Sequence, residues 1–139
     1  YNILRRQIEG EQLSFCKQNG VGVLVYSPMQ SGLLTGKMTR ERIAAMPDDD
    51  HRPRTPHFQE PALSRNLRLV EMMREIGARH GRTPGDVAIA WTLRLPEVTA
   101  AIAGMRSPEQ AREVAATAEF RLTAAEAAQL EEFLAANPL

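Results

Sequence analysis

The stretch VLVYSPMQSGLLTGK, Val23 to Lys37, decides how the rest of the chain is read. It opens as an uncharged apolar run, stops at Tyr26-Ser27-Pro28, passes Gly32 and Gly36, and closes on Lys37. Together with Val21 and Gly22, the run VGVLVY has the composition of a strand covered on both faces, as in a parallel sheet between helices. In parallel α/β folds ligands gather where such strands end, at their carboxyl edge. A packing tyrosine followed by a bare turn with loop glycines explains the same residues equally well. The stretch alone leaves both readings open.

Outward from it the chain alternates helical and extended patterns. Upstream, Gln7 to Asn19 sets Ile8, Leu13, Phe15 and Cys16 among polar residues, the pattern of a short amphipathic helix, and Gly20 stands where a helix end favours a left-handed residue. Downstream, Met38 to Ala62 carries PDDDHRPRTPHFQEP, whose prolines and aspartates predict a long loop without a lasting regular element, a lid or binding loop. Leu67, Leu69, Val70, Met73 and Ile76 then follow helical spacing, with Gly77 and Gly81 marking a fraying end. A second helix is predicted from Thr83 as cap, Pro84 in the first turn and Asp86 three residues after the cap. VTAAIAG, Val98 to Gly104, is the second strand. Ser107, Pro108 and Gln110 predict a capping box for the next helix, and Thr123 with Glu126 one for the last, which runs to about Ala136.

Helices alternating with short buried strands predict a parallel α/β architecture. Two strands leave two open edges and cannot cover five helices, so further strands are expected from preceding sequence or from another chain. The start at Tyr1, in mid-pattern, fits a piece of a longer chain.

Lys and Arg number 17, as do Asp and Glu, so no net field attracts nucleic acid or an anionic membrane, and the arginines are dispersed rather than clustered. Cys16 is the only cysteine, which excludes an internal disulfide and suits a reducing compartment. No apolar run approaches the ~20 residues of a membrane span; the expected location is the cytoplasm. His51, His57 and His80 fall in a loop or at a helix end and are expected at the surface. Asp48, Asp49 and Asp50 match no calcium loop and are read as a solvated acidic turn. Cys16 is read as core packing. No metal site is expected.

The second strand leads through Gly104, Met105 and Arg106 into a capped helix. Free N–H groups at a helix start suit a phosphate, and an arginine there adds a charge-assisted contact. A simple turn at Gly104 and a solvated Arg106 account for the spacing as well.

The whole order resembles one family. YSPMQSGLLTGK closely resembles the loop after the seventh strand of aldo-keto reductases, and GMRSPEQ resembles the segment after the eighth. YNIL and NGVGVLVYSP before them, and RTPGDVAIAWTLR between them, match the family's running pattern in the same order, so the resemblance covers nearly all 139 residues. It implies an α/β fold, the (β/α)8 TIM barrel, with residues 1–139 as the C-terminal portion from the end of strand six to the closing helices. It further implies the cofactor-binding part of an NADP-dependent reductase that passes hydride from NADPH to a small carbonyl substrate. Tyr26, Ser27, Pro28, Met29, Ser31 and Gly32 then line the pyrophosphate and sugar, with Lys37 at the far end of the loop. Tyr1 matches the aromatic that stacks on the nicotinamide. Gly104, Arg106, Gln110 and Glu113 match residues around the adenosine and its 2′-phosphate, and Arg106 favours NADP over NAD. Val114 departs from the asparagine common in the family, and His51 from a tryptophan. The family's catalytic Asp, Tyr, Lys and His lie upstream of Tyr1, so no catalytic residue is expected here. The expected partner is the N-terminal half of the barrel or a second copy of the chain. The alternatives are a regulatory or NADP-sensing subunit of this fold, and a self-associating half-barrel without activity.

Overall fold

In the computed structural model, which describes residues 1–138, two parallel strands pair beneath one layer of helices. Strand β1 (Val23–Tyr26) lies beside β2 (Val98–Ile102), with Leu24 opposite Ala100, Val25 opposite Ala101 and Tyr26 opposite Ile102. Both are shorter than the apolar runs that announced them: Val21 and Gly22 precede β1, and Ala103 and Gly104 follow β2. The pleat sends Val25 and Val98 into the helix layer and leaves Leu24, Tyr26 and Ile102 at 65%, 71% and 58% exposure. The runs expected to be covered on both faces are therefore covered on one, because the helices of this chain lie on one side only.

The core is centred on α4 (Pro84–Thr92), every residue of which is buried. A helix apolar all round belongs in the interior. Its start is built as the sequence predicts: the Thr83 hydroxyl accepts from the Asp86 amide while the Asp86 carboxylate accepts from the Thr83 amide. Trp91, Val87 and Ala88 pack with Leu69, Met73 and Ile76 of α3 (Ala62–Arg79) and with Leu34 from the loop after β1. Gly77 does not mark a fraying end of α3. It is buried within the helix, and the chain folds back so closely that a Cβ there would stand 2.5 Å from the Arg82 carbonyl oxygen.

Flanking this centre are α1 (Glu11–Gln18), α5 (Pro108–Thr117) and α6 (Ala124–Ala136). α1 follows a 3-10 turn at Gln7–Glu9 and buries only Leu13; Phe15 is 61% exposed and Cys16 half-buried, so the expected apolar face is narrower than its spacing suggested. α6 has its capping box at Thr123 and Glu126. α5 does not: Gln110 turns its carbonyl oxygen to the Arg106 amide instead of the Ser107 amide.

The segment 38–62 is more ordered than its prolines suggested. It contains α2 (Arg40–Ala44), capped by Thr39, and 3-10 turns at Arg52–Arg54 and Pro56–Phe58. Met38, Ile43 and Phe58 form a second apolar cluster with Leu33 and Leu63. Their spacing follows no single period, which hid them among the polar residues. Among the described residues, no helix is long and apolar enough to cross a membrane.

Candidate functional site

β1 and β2 are parallel and end level at Tyr26 and Ile102, so the loops that follow them leave the same edge of the sheet. The structure thereby brings together the two segments singled out in the sequence, Tyr26–Lys37 and Gly104–Glu113.

The first loop is tightly specified. Ser27, Gln30 and Ser31 take left-handed conformations at φ of 56°, 46° and 53°, and Gly32 and Gly36 do so at 89° and 77°. Non-glycine residues rarely adopt this region, and clusters of such strain occur where a backbone is held for a purpose. The hold here is Asn2, which is fully buried. Its amide donates to the Ser27 carbonyl and to the Gln30 side-chain oxygen, both at 2.8 Å, and its own oxygen accepts from the Leu4 amide at 2.9 Å. Pro28, Gln30, Leu33 and Leu34 are buried. At the far end Gly36 packs so tightly on Pro84 that a Cβ would lie 2.7 Å from its ring, and its carbonyl accepts from Arg74 at 3.0 Å. Met29 is half-buried against the core, Ser31 and Lys37 are exposed, and the Tyr26 ring stands free at the strand end. Asn2 and Gln30 were missed in the sequence; the available signal was a polar residue inside the apolar YNIL.

The second loop is open. Gly104, Met105 and Arg106 are exposed, and a Cβ on Gly104 would meet nothing within 4 Å. Ser107 caps α5 by accepting from the Gln110 amide at 3.2 Å. The Arg106 guanidinium makes no hydrogen bond or ion pair among the described residues. Glu113 is exposed, and Val114 is half-buried along the same helix.

Tyr1 is placed otherwise. Its ring lies 5.6 Å from Trp91, and its hydroxyl donates to Glu9 and accepts from Arg94 at 2.7 Å. Burial, reinforced by the Glu9 acceptor, pushes the phenol well above its ordinary range. Burial also pushes the Glu9 carboxyl up, but hydrogen bonds from Arg6, Tyr1 and Arg94 outweigh it and hold the group below the usual carboxylate range. Arg94 stacks over Trp91 with its Cζ 3.5 Å from the ring centroid, so this network ties the chain start to α4.

Two of the three histidines are not plain surface groups. His80 contacts Glu126 at 2.6 Å. His57 is half-buried, with Nδ1 unpartnered; burial first, then Arg5 and Arg65, push its pKa down. Asp50 is likewise engaged rather than solvated: it accepts from the Arg52 amide and guanidinium, which hold its carboxyl below the usual range. Among the described residues no group of His, Cys, Asp and Glu is gathered to hold a metal.

A model of the aldo/keto reductase family matches residues 1–135. The NADH-specific methylglyoxal reductase of Escherichia coli (strain K12) is 33% identical over 132 residues, covering 95% of this chain and 39% of that protein. An aldo-keto reductase of Bacillus subtilis (strain 168) is 34% identical over 111 residues, 79% of this chain and 33% of that protein. The structure of a glycerol dehydrogenase from Gluconobacter oxydans superposes with a TM-score of 0.89 at 30% identity, over 100% of this chain and 42% of that one. The chain spans less than half the length of the relatives it matches.

Proposed function

The chain belongs to the aldo/keto reductase family, and from that premise we propose that it is the C-terminal, cofactor-binding portion of a cytoplasmic barrel enzyme transferring hydride between NADP(H) and a small carbonyl substrate. The observation that carries this reading is the convergence of a rigid loop and an open, capped helix start at one edge of a parallel sheet. Phosphate sites after the last two strands recur in this barrel.

The residues present fit a dinucleotide. Tyr26 presents a free ring at the strand end, whereas the Tyr1 ring and hydroxyl are already engaged, so the stacking platform for the nicotinamide is Tyr26. Ser27, Pro28, Met29, Ser31 and Gly32 flank the sugar and pyrophosphate, with Lys37 beyond. Gly104, Gln110 and Glu113 border the adenosine. The cofactor supplies the hydride, and the protein's part is to hold and orient it. The Escherichia coli relative is NADH-specific by name, so family alone does not choose between cofactors. Arg106, unpaired beside the start of α5, supports NADP, because a guanidinium there suits a 2′-phosphate.

No residue of this chain acts as proton donor in this reading, and the exposed sheet face receives the N-terminal half of the barrel. The segment 38–62, directly after the first loop, serves as a lid. The decisive experiment is Arg106→Ala in the full-length protein. NADPH affinity falls roughly 10- to 100-fold, as expected for a charge-assisted contact, while NADH affinity barely changes. Equal losses for both cofactors place Arg106 away from the 2′-phosphate. The isolated chain is expected to oxidise no NADPH with common aldehydes; turnover above background locates the acid–base chemistry within it.

A further inference from the structure

α5 carries Gln110 and Glu113 and begins beside Arg106, yet the only side chain it buries is Thr117, at its opposite end. That side chain is polar, and its hydroxyl donates to Asp86 Oδ1 within α4. The other Asp86 oxygen, Oδ2, accepts from the Thr83 amide and hydroxyl, both at 2.8 Å. The capping requirement of α4 is thus met by one carboxylate oxygen alone. The second is free to hold a neighbour, and Asp86 is almost fully buried, so this bond is shielded from competing water.

We infer that Asp86 and Thr117 are positioning residues for the adenosine end of the bound dinucleotide, acting through the orientation of α5. The inference rests on the cofactor reading above and adds to it the element that sets the second loop's position. Geometry gives the leverage. A ten-residue helix is ~15 Å long, so a tilt of ~5° about Thr117 displaces its N-terminus by ~1 Å. A misplacement of that size in a binding constellation costs up to about a hundredfold. Gly104, Met105 and Arg106 make no packing contacts that oppose the tilt, since all three are exposed.

The test uses the full-length protein and two probes, adenosine 2′,5′-bisphosphate and nicotinamide mononucleotide, titrated by calorimetry. Thr117→Val keeps the shape and removes the hydroxyl. It is expected to weaken adenosine 2′,5′-bisphosphate roughly tenfold and to leave nicotinamide mononucleotide unchanged. Thr117→Ser is expected to restore the lost affinity. Unchanged bisphosphate affinity in Thr117→Val overturns the inference and leaves the cofactor reading standing. So does a parallel loss for both probes, which marks a general structural role. No bisphosphate binding by the unmodified protein overturns the cofactor reading and the inference with it. Should Thr117→Val fail to fold, Asp86→Asn carries the same prediction, since an amide nitrogen cannot accept the Thr117 proton when its oxygen serves Thr83.

Discussion

Between Ser27 and Lys37 the chain buries Pro28, Gln30, Leu33 and Leu34, whereas between Ala103 and Ser107 no side chain is fully buried. Both segments leave the same edge of the sheet, and both follow short apolar strands. The first reaches its shape through strained backbone angles that a buried asparagine enforces. The second has a helix cap and one side chain to main chain bond, and its helix is moored at the remote end. A platform fixed before ligand arrives lowers the ordering penalty of binding. An open segment lets charge and hydrogen-bonding groups adjust to what lands there. One edge of one sheet combines the two.

The largest effect is expected from removing the enforcement. Asn2→Ala leaves the Ser27 carbonyl and the Gln30 side chain without their donor in a buried setting, which should lower stability by about 3 kcal/mol. Urea denaturation of the full-length protein measures it. A loss below about 1 kcal/mol would show that the first loop holds its shape unaided and would erase the contrast.

The same substitution made in both loops sharpens the comparison. Gly36→Ala combines a left-handed backbone with a collision against Pro84 and should destabilise by about 2 kcal/mol. Gly104→Ala meets open space and should change stability by less than about 0.5 kcal/mol. Similar values for the two would mean the loops are equally plastic.

What the sequence showed of this contrast follows from what local patterns record. Thr83-Pro84, Ser107-Pro108 and Thr123 with Glu126 marked helix starts because capping depends on neighbours three residues away. The two strands were legible as uncharged runs, but which of their faces is covered depends on elements outside any run. Leu24, Tyr26 and Ile102 are open for that reason. Met38, Ile43 and Phe58 were lost in a proline-rich stretch because a cluster built from short turns has no period. In the site, the two loops were found as motifs. Asn2, which sets the first, acts across 25 and 28 residues, and Thr117, which moors the second, across 31. No local rule reaches that far.

An acid titration supplies a control outside both loops, with a smaller effect. Burial pushes the Glu126 carboxyl up, but hydrogen bonds from His80 and from Thr123 hold it below its ordinary value of 4.5. A carboxyl depressed in the folded state contributes stability that is complete above the unfolded pKa and disappears as pH falls through the folded one. Glu126→Gln should therefore lower stability by about 1 kcal/mol at neutral pH and by progressively less below pH 4.5, as denaturation across that window will show. A pH-independent difference would mean the His80 contact contributes nothing through charge.

The smallest effect is one of exchange rates. The Leu34 amide is already bonded to the Met29 carbonyl, so its exchange should be slow with or without NADPH. The amides of Gly104 and Met105 should slow only when NADPH is present. In segment 38–62, protection that cofactor does not alter would remove the lid from the reading.

Trp91 gives this chain an optical property of its own. It is the only tryptophan in the sequence, fully buried, with Arg94 against its face and Tyr1 beside it. Its emission in the isolated chain should be blue-shifted, resistant to aqueous quenchers and fed by energy transfer from Tyr1. It would report the integrity of α4 and of the tether to the chain start. A change at the sheet edge that left α4 intact would be invisible to it. Fluorescence loss and ligand loss can thus be read as separate signals from one cuvette.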